Sequence, residues 1–376
     1  MTQKIISGLG SISKLREALL DKKVKNLLLV TGKNSFTSSG GEKALRPLFE
    51  LFKIIRFKDF EVNPKFEDAL KGVSIARENK IDAVVSIGGG SVIDIAKLIL
   101  VFFEPNQNPK NIVKGLQKPI NPKIPHFSIP TTAGTGSEST HFAVVYLNKI
   151  KYSVSAKFLT PYMAILDGEL IMSNSSKQKA YNGLDALAQA VESHWATEST
   201  EESRSYSRKA IPILYKSLTK VVSGDAEKKD YQNFISAANL AGKAINISKT
   251  TAPHAFSYNL TSKYGIPHGH AVWLTLPKIF EIHLNTYDTK KLNLGSYEDF
   301  REILNEILSL LGINENIILL ELQEFLKNLD LEFSMEKLGA STKGARREIA
   351  EGVNLERLKN NPVSFSEEDI NDIFNL

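Results

Sequence analysis

The chain of 376 residues contains no cysteine, and it lacks the features that mark membrane or secreted proteins. Without cysteine there are no disulfides, no thiolate metal sites and no cysteine nucleophile. No uninterrupted apolar run approaches the roughly 20 residues that a membrane span needs. The first residues, MTQKIISGLGSISKL, lack the apolar core of a signal peptide. We therefore expect a cytoplasmic protein with no membrane partner.

The chain also lacks a strong excess of one charge, since 47 basic residues stand against 42 acidic ones. The basic residues are scattered, as in DKKVKN, and no arginine-rich tract is interleaved with aromatic residues. A solvated, lysine-rich surface explains this pattern better than a nucleic-acid surface does. We expect no nucleic-acid partner, and an anion site for a small substrate remains an alternative use of the basic residues.

Apolar runs and helix-like segments alternate in the first part of the chain. The strand-like runs are NLLLVTG (26–32), KIIRFKDF (53–60), IDAVVSIGGG (81–90), IPHFSIPTT (124–132) and MAILDGEL (163–170), and the helix-like segments are FEDALKGVSIAREN (66–79) and SVIDIAKLILVFF (91–103). This alternation predicts a parallel sheet with helices on its faces. From about Asn182 helical periodicity dominates. We therefore predict an α/β domain over residues 1–170 and an all-α domain over residues 171–376.

Two glycine-rich segments follow predicted strands. SIGGGSVIDIAK (86–97) is a strand, three glycines and a helix, and IPTTAGTGSE (129–138) adds small hydroxyl residues after the next strand. Glycines let a backbone approach a ligand, and a helix N-terminus offers N–H groups to a phosphate. A tight structural turn also favours glycine, and neither segment is a GxGxxG or P-loop motif. Two such segments in one α/β domain indicate a dinucleotide lying across the sheet edge.

Asp185 and Gln189 lie four residues apart in the helix-like segment GLDALAQAVESHW, so they share a helix face. His254 and His268 come from two later segments of the helical part. Carboxylate and imidazole suit Zn²⁺ or Fe²⁺. Spacing alone leaves two interpretations, a metal site or a capping aspartate with surface histidines.

Four motifs in order, GGGSVIDIAK, IPTTAGTGSE, GLDAL and IPHGHA, resemble the iron-containing (group III) alcohol dehydrogenase family over nearly the whole chain. The resemblance implies a dinucleotide-binding α/β domain and an all-α domain in a dehydroquinate synthase-like architecture, a divalent metal in the cleft between them, and a homodimer. The implied metal ligands are Asp185, His254 and His268. The implied cofactor contacts are Asn63, Gly88, Gly89, Gly90, Ser91, Asp94, Thr131, Thr132, Ser137 and Lys151.

The chain departs from the family pattern at two positions. Iron-dependent members usually have a ligand histidine where Gln189 stands and a non-ligand histidine where Tyr258 stands. The departure implies a three-ligand site with an open position, Fe²⁺ or Zn²⁺ as the metal, and Gln189 as either a weak ligand or a substrate contact. Tyr258 and His270 are candidates for the proton path, and packing is the alternative role for each.

The family reaction that the resemblance implies is hydride transfer between a nicotinamide and a carbonyl carbon, with the metal as Lewis acid. NAD-preferring relatives carry an aspartate after the first strand of the domain, where it repels the 2′-phosphate of NADP. The matching place here is Gly32, followed by Lys33, in VTGKN. The absence of this negative charge predicts NAD(P)H as cofactor with a preference for NADPH.

The segments SKTTAPHAFSYNLTSKYGIPHGHAVWLTLP and GLDALAQAVESHWATEST resemble the phosphonoacetaldehyde reductase branch, which makes 2-hydroxyethylphosphonate from phosphonoacetaldehyde. Lys249 with its hydroxyl neighbours is then expected to hold the phosphonate, although an exposed lysine at a helix end fits the pattern equally well. The alternatives are a general aliphatic aldehyde/alcohol or diol dehydrogenase, a sugar-phosphate cyclase of the dehydroquinate synthase type, and a metal-free binding protein.

Overall fold

The computed structural model describes residues 3–148, 150–340, 344, 347–349, 353 and 358–374. The chain forms two compact units. The first is Met1–Asn174 with Glu227–Asn239, and the second is Ser175–Ala226 with Leu240–Leu376.

The elements of regular structure alternate in the first unit and are helical in the second. The strands are β1 (Lys4–Ser7), β2 (Asn26–Thr31), β3 (Lys53–Phe57), β4 (Ala83–Gly88), β5 (His126–Pro130), β6 (Phe142–Leu147), β7 (Ile150–Ser155) and β8 (Met163–Leu166). The α-helices are α1 (Leu15–Asp21), α2 (Ser35–Ser38), α3 (Gly41–Leu45), α4 (Phe66–Glu78), α5 (Gly90–Val101), α6 (Pro109–Val113), α7 (Ser176–Trp195), α8 (Glu201–Ser223), α9 (Lys228–Ser248), α10 (Ala252–Tyr264), α11 (His268–Trp273), α12 (Leu276–Leu284), α13 (Tyr297–Leu311), α14 (Ile318–Asn328) and α15 (Glu367–Phe374). Short 3₁₀ turns lie at Ser11–Lys14, Arg46–Leu48, Ser137–Ser139, Lys157–Leu159, Gly168–Ile171, Thr289–Lys291 and Glu315–Ile317.

A six-stranded parallel sheet in the order β1-β8-β5-β4-β2-β3 forms the centre of the first unit. Thr31 pairs in register with Ile87, and Gly88 pairs with Pro130. The carboxyl ends of β2, β4 and β5 therefore meet at one edge of the sheet. The predicted parallel sheet with helices is confirmed, and each strand-like run from the sequence contains one of its strands.

Residues of the central strands are buried on both faces of the sheet, as parallel strands require. Along β2, Leu28 and Val30 pack into one apolar cluster, while Leu27 and Leu29 pack into another. Alternation of side chains along a strand explains this division. The two clusters fix the sheet between its helices and hold the loops at its edge in place.

Sequence reasoning missed β1 and the antiparallel hairpin of β6 and β7. The strand β1 has four residues at the sheet edge, two of them exposed, so its apolar signal is short. The strand β6 alternates between buried and partly buried residues, as expected for a hairpin with one covered face.

Helix α9 begins in the first unit, whereas the sequence-based division at residue 170 assigned all of it to the helical domain. The Gln232 side chain accepts a hydrogen bond from the Gly168 backbone N–H at 2.8 Å. The Asn239 side chain donates to Glu138 at 2.9 Å. Helical periodicity shows that a segment is a helix, but it does not show which unit the helix packs against.

The second unit is helical, which confirms the predicted all-α part of the fold. One of its apolar clusters includes Phe256, Leu260, Leu274 and Phe374. Among the described residues, no single helix is long and apolar enough to cross a membrane. In this part of the chain, only the helix pair Tyr297–Leu311 and Glu315–Asn328, bent by 75°, has the length and composition of a membrane span.

Candidate metal and cofactor sites

Asp185, His254 and His268 come together in the second unit. One ligand atom from each lies within 4.8 Å of the others. The Nε2 atom of His254 is 3.2 Å from Asp185 Oδ1, and the two imidazole rings are 5.3 Å apart between centroids. Asp185 and His254 are buried and His268 is partly buried. These three residues are the predicted metal ligands, and we call them the Asp–His–His trio.

Close packing of α11 on α7 brings His268 to Asp185. A Cβ atom built at Gly269 would lie 1.9 Å from the Tyr181 carbonyl oxygen and 2.8 Å from the Asp185 nitrogen. Only glycine therefore fits at the residue after His268. The Trp273 indole at the end of α11 donates to the carbonyl of the residue before Asp185 at 2.8 Å, which fixes the same contact.

Glu192, which the sequence reasoning did not select, holds His254, the first histidine of the trio. Its carboxylate accepts a hydrogen bond from His254 Nδ1 at 2.5 Å, and it accepts two more from the backbone N–H and the hydroxyl of Thr251. Glu192 lies seven residues after Asp185, so it shares the helix face of Asp185 and Gln189. The sequence signal for Glu192 was that Asp185, Gln189 and Glu192 are three polar residues on one buried helix face.

Burial and neighbouring charges shift the pKa values of His254 and Asp185. Burial disfavours the charged imidazole of His254, but the neighbouring Glu192 and Asp185 carboxylates raise its pKa to about 10. Burial also opposes the charged form of Asp185, and the hydrogen bond from His254 and the charge of His268 outweigh it, so the pKa of Asp185 falls below its ordinary value. Asp185 is therefore stabilised as a carboxylate by positive charge next to it.

Gln189 supports a fit between these residues and a divalent metal. Its side chain hydrogen-bonds to Asp185, which lies one helical turn earlier. Its Oε1 atom is buried and has no hydrogen-bond partner among the residues that the structure describes. A buried carbonyl oxygen without a partner costs about 1–3 kcal/mol. One carboxylate, two imidazoles and this oxygen form a donor set that suits Zn²⁺ or Fe²⁺.

The two candidate proton carriers differ in their surroundings. The Tyr258 ring lies parallel to the His268 ring, with 6.3 Å between centroids. His270 instead donates from Nε2 to the Glu332 carbonyl at 2.6 Å, and its ring stacks on Tyr181. His270 also lines a surface pocket of about 320 Å³ to which no trio residue contributes.

Lys249, the predicted phosphonate contact, precedes α10 with a positive φ of 60°. Its ammonium lies 3.2 Å from a carboxylate oxygen of Glu198, and its side chain is 43% exposed. The Asn360 side chain fixes the backbone on both sides of it by donating to the carbonyls of Ser248 and Thr250. The geometry thus pairs Lys249 with a surface carboxylate.

The glycine turn and the threonine-rich loop meet at the sheet edge in the first unit. Thr131 N–H donates to the Gly88 carbonyl at 3.0 Å. A Cβ atom at Gly90 would lie 2.7 Å from Thr135 Oγ1, and one at Gly89 would lie 3.3 Å from Thr132. Helix α5 begins at Gly90, so its N-terminal amides lie beside this contact. Such a surface suits a pyrophosphate.

Two buried charges hold the loop that follows. Asp94 accepts a hydrogen bond from the Ser137 hydroxyl and another, at 3.0 Å, from the Val144 backbone N–H. Lys97 donates to the carbonyls of Ser137, Thr140 and Phe142 over 2.5–2.9 Å. Burial raises the pKa of Asp94 and lowers the pKa of Lys97 to about 8. Sequence reasoning selected Asp94 but missed Lys97.

The remaining predicted cofactor contacts lie around the same unit. Asn63 has a positive φ of 65°, and its backbone N–H donates to Ser91 Oγ at 3.3 Å. This bond joins the loop after β3 to the start of α5. Lys151 is an exposed residue of β7, opposite Tyr146 in the hairpin. The structure thus brings Asn63 to the glycine turn, and the position of Lys151 adds a positive charge that acts on Asp94.

Gly32 lies just beyond β2, beside a guanidinium that the sequence did not reveal. Arg56 donates from Nε to Thr31 Oγ1 at 2.9 Å and from Nη2 to the Gly32 carbonyl at 3.4 Å. The guanidinium carbon lies 4.7 Å from the centroid of the Phe36 ring. The β2–β3 pairing brings Arg56 here, and sequence spacing gives no sign of it.

Comparisons with known proteins agree with this arrangement. Residues 2–168 match the family model for iron-containing alcohol dehydrogenase, and residues 179–376 match the C-terminal model of the same family. The chain belongs to the iron-containing alcohol dehydrogenase family, whose members are metal-dependent, NAD(P)-dependent oxidoreductases of alcohols and aldehydes.

Individual relatives are distant in sequence but similar over most of their length. The NADPH-dependent butanol dehydrogenase of Clostridium saccharobutylicum is 28% identical over 327 residues, 85% of this chain and 80% of that protein. The NAD-dependent methanol dehydrogenase of Bacillus methanolicus is 27% identical over 282 residues, 74% of each chain. The crystal structure of sulfoacetaldehyde reductase from Bifidobacterium kashiwanohense with NAD⁺ superposes with a TM-score of 0.87 and 25% identity, covering 99% of this chain and 96% of that one.

Proposed function

We propose that this chain interconverts short aliphatic aldehydes and primary alcohols with NADPH, using a divalent metal held by Asp185, His254 and His268. The observation that carries the proposal is the Asp–His–His trio, whose ligand atoms lie within 4.8 Å of one another. A bound divalent metal would supply Lewis acidity that favours charge on the substrate oxygen.

The chain's own residues have distinct tasks in this proposal. The Gly88–Ser91 turn and the start of α5 bind the pyrophosphate, and Asp94 with Lys97 keeps the neighbouring loop in place. Tyr258 is the better candidate for moving the proton of the hydroxyl group, because its ring lies against His268. His270 is the weaker candidate, since its Nε2 is already bonded to a backbone carbonyl. Gln189 offers its carbonyl oxygen to the metal or to the substrate hydroxyl.

A general aliphatic substrate is favoured over phosphonoacetaldehyde. Two relatives are named for butanol and methanol, which carry no anionic group. Lys249, the residue on which the phosphonate hypothesis rests, has its ammonium beside Glu198. An ammonium paired in this way has less attraction left for a phosphonate.

A short aldehyde with an anionic group is the second candidate substrate. The observation in its favour is the TM-score of 0.87 with a structure named for sulfoacetaldehyde reduction. Phosphonoacetaldehyde belongs to the same chemical class, since both molecules place an anion beside an aldehyde. The two candidates share the metal and cofactor sites and differ only in substrate recognition.

NADPH preference rests on the surroundings of Gly32. This position has no carboxylate. The Arg56 guanidinium donates a hydrogen bond to the Gly32 carbonyl, and Lys33 is the next residue in the sequence. A guanidinium suits a phosphate. Gly32→Asp is expected to lower the NADPH/NADH affinity ratio about tenfold, or about 1.4 kcal/mol. Gly32→Asn is the matched control, because it crowds Ser35 equally without adding charge.

The direct test is oxidation of NADPH and NADH by the purified full chain with Zn²⁺ or Fe²⁺ and four aldehydes: butanal, propanal, sulfoacetaldehyde and phosphonoacetaldehyde. Comparable kcat/KM values for all four support the general dehydrogenase. A hundredfold preference for the two anionic aldehydes, roughly 2.7 kcal/mol, supports the second candidate. Failure to reduce any of them with either metal contradicts both. The homodimer stays a prediction, which light scattering of the purified chain checks.

A further inference from the structure

Glu192 is the most completely buried carboxylate beside the Asp–His–His trio. Its side chain is 0% exposed, and both of its oxygens are used. One oxygen faces His254 Nδ1, and the other accepts from the backbone N–H of Thr251 at 2.7 Å and from its hydroxyl at 2.9 Å. A buried carboxylate persists only where donors replace its lost water.

Through its contacts with Thr251, Glu192 also fixes the start of helix α10. Thr251 is the N-cap residue of α10, and His254 lies in the first turn of that helix. The Thr251 hydroxyl also accepts a hydrogen bond from the Trp195 indole of α7 at 2.9 Å. Glu192 and Trp195 thus tie the end of α7 to the start of α10.

We infer that Glu192 is a positioning residue for the metal site: it holds His254 with Nδ1 protonated, so that Nε2 faces Asp185. The inference rests on the proposed metal ligands and concerns a residue that contacts neither the metal nor the substrate. Hydrogen bonds of this kind fix the ring orientation and increase the basicity of a ligating imidazole. Glu192 orients the His254 ring directly, and it also fixes the start of α10, the helix that carries His254. Both contacts hold His254 in the same position.

The same unit contains a second histidine–glutamate pair that provides a matched control. Glu306 accepts a hydrogen bond from His194 Nε2 at 2.9 Å and also pairs with Arg208. His194 is buried, like His254. Neither Glu306 nor His194 belongs to the trio, so the pair tests what loss of a carboxylate does to the unit in general.

The experiment measures Zn²⁺ affinity by chelator competition on the folded full chain, for the wild type, Glu192→Gln and Glu306→Gln. Glutamine keeps the size of Glu192, but its NH₂ group must face one of two partners that also donate. We expect Glu192→Gln to weaken Zn²⁺ binding about 10–100-fold and Glu306→Gln to leave it within about threefold. Equal affinities for Glu192→Gln and the wild type overturn the inference, as does an equal loss in both variants.

A measurement on the wild type covers the case in which Glu192→Gln does not fold. The ¹⁵N spectrum of the histidine rings in the Zn²⁺-loaded chain, assigned with His254→Gln, is expected to show a protonated Nδ1 on His254. An unprotonated Nδ1 on His254 overturns the inference. If the wild type itself binds no Zn²⁺, the proposed metal site fails before the role of Glu192 is tested, so the two failures are distinct.

Discussion

Lys97 in the first unit and Glu192 in the second are both fully buried charges, but their partners differ. Lys97 donates to three backbone carbonyls and the Thr140 hydroxyl, so it fixes the backbone of one loop. Glu192 accepts from an imidazole and from both donors of Thr251, so it fixes a side chain and a helix start. Lys97 therefore fixes the backbone of a loop, whereas Glu192 orients the side chain of His254, a predicted metal ligand.

The difference agrees with the ligands that we propose for the two sites. A pyrophosphate is recognised by backbone amides, so the position of the chain decides the fit. A metal ion is recognised by a few side-chain atoms, so the orientation of each ring decides the affinity. In both units the residue that sets the geometry differs from the residues that we expect to touch the ligand.

The largest expected effect separates the two sites. His268→Ala removes one proposed metal ligand from the second unit and should lower kcat/KM on the order of a thousandfold, about 4 kcal/mol. The predicted nucleotide contacts all lie in the first unit. The NADPH dissociation constant, measured by fluorescence titration, should therefore change less than about twofold. A large loss of NADPH affinity would show that the two sites are coupled.

Removal of the buried cation should affect stability next most strongly. Lys97→Met leaves three buried carbonyls and Asp94 without their cation, and urea unfolding should show a loss of about 3–5 kcal/mol. Lys71→Met is the control, because Lys71 is 63% exposed and its ion pair is with Asp68 on its own helix. Its expected change is within about 0.5 kcal/mol. Similar losses in both variants would remove the special role assigned to Lys97.

The pH dependence of stability sharpens this test. The pKa of Lys97 is about 8 in the folded chain against an ordinary value of 10.5. Between these values the unfolded chain binds more protons, so the contribution of Lys97 to unfolding free energy rises with pH. The stability difference between wild type and Lys97→Met should widen by about 1–2 kcal/mol from pH 8 to pH 10. A difference that is constant or shrinks contradicts the account.

The smallest expected effect concerns the fourth position of the proposed metal site. Gln189→His places an imidazole one turn from Asp185 and should tighten Zn²⁺ binding about tenfold, or 1.4 kcal/mol. Gln178→His adds a histidine to an exposed position of the same helix, and it should leave the affinity unchanged. Identical behaviour of the two variants would mean that residue 189 does not face the metal.

Periodicity predicted the strands and helices that have strong patterns, and the parallel sheet followed from their alternation. It missed β1, whose four residues alternate weakly, and it could not assign the first half of α9 to a unit. Periodicity records which face of an element is apolar. It contains no information about the neighbour that covers that face.

The site residues show the same limit. The trio could be selected because its motifs resemble those of a known family, since spacing alone left a capping aspartate with surface histidines as an alternative. The glycine turn could be selected because three glycines follow a strand-like run. Glu192, Lys97 and Arg56 could not, because their importance depends on partners that only the fold brings near. Glu192 had a weak signal, its position seven residues after Asp185 on a buried helix face. Arg56 had none, since strand pairing alone places it beside Gly32.

The proposed metal site is tested most directly by the metal content of the full chain after incubation with Zn²⁺ or Fe²⁺ and dialysis, compared between wild type and Asp185→Asn. We expect about one ion per chain in the wild type and almost none in the variant. Equal metal content in both, or no metal in the wild type with either ion, would contradict a site built from Asp185, His254 and His268.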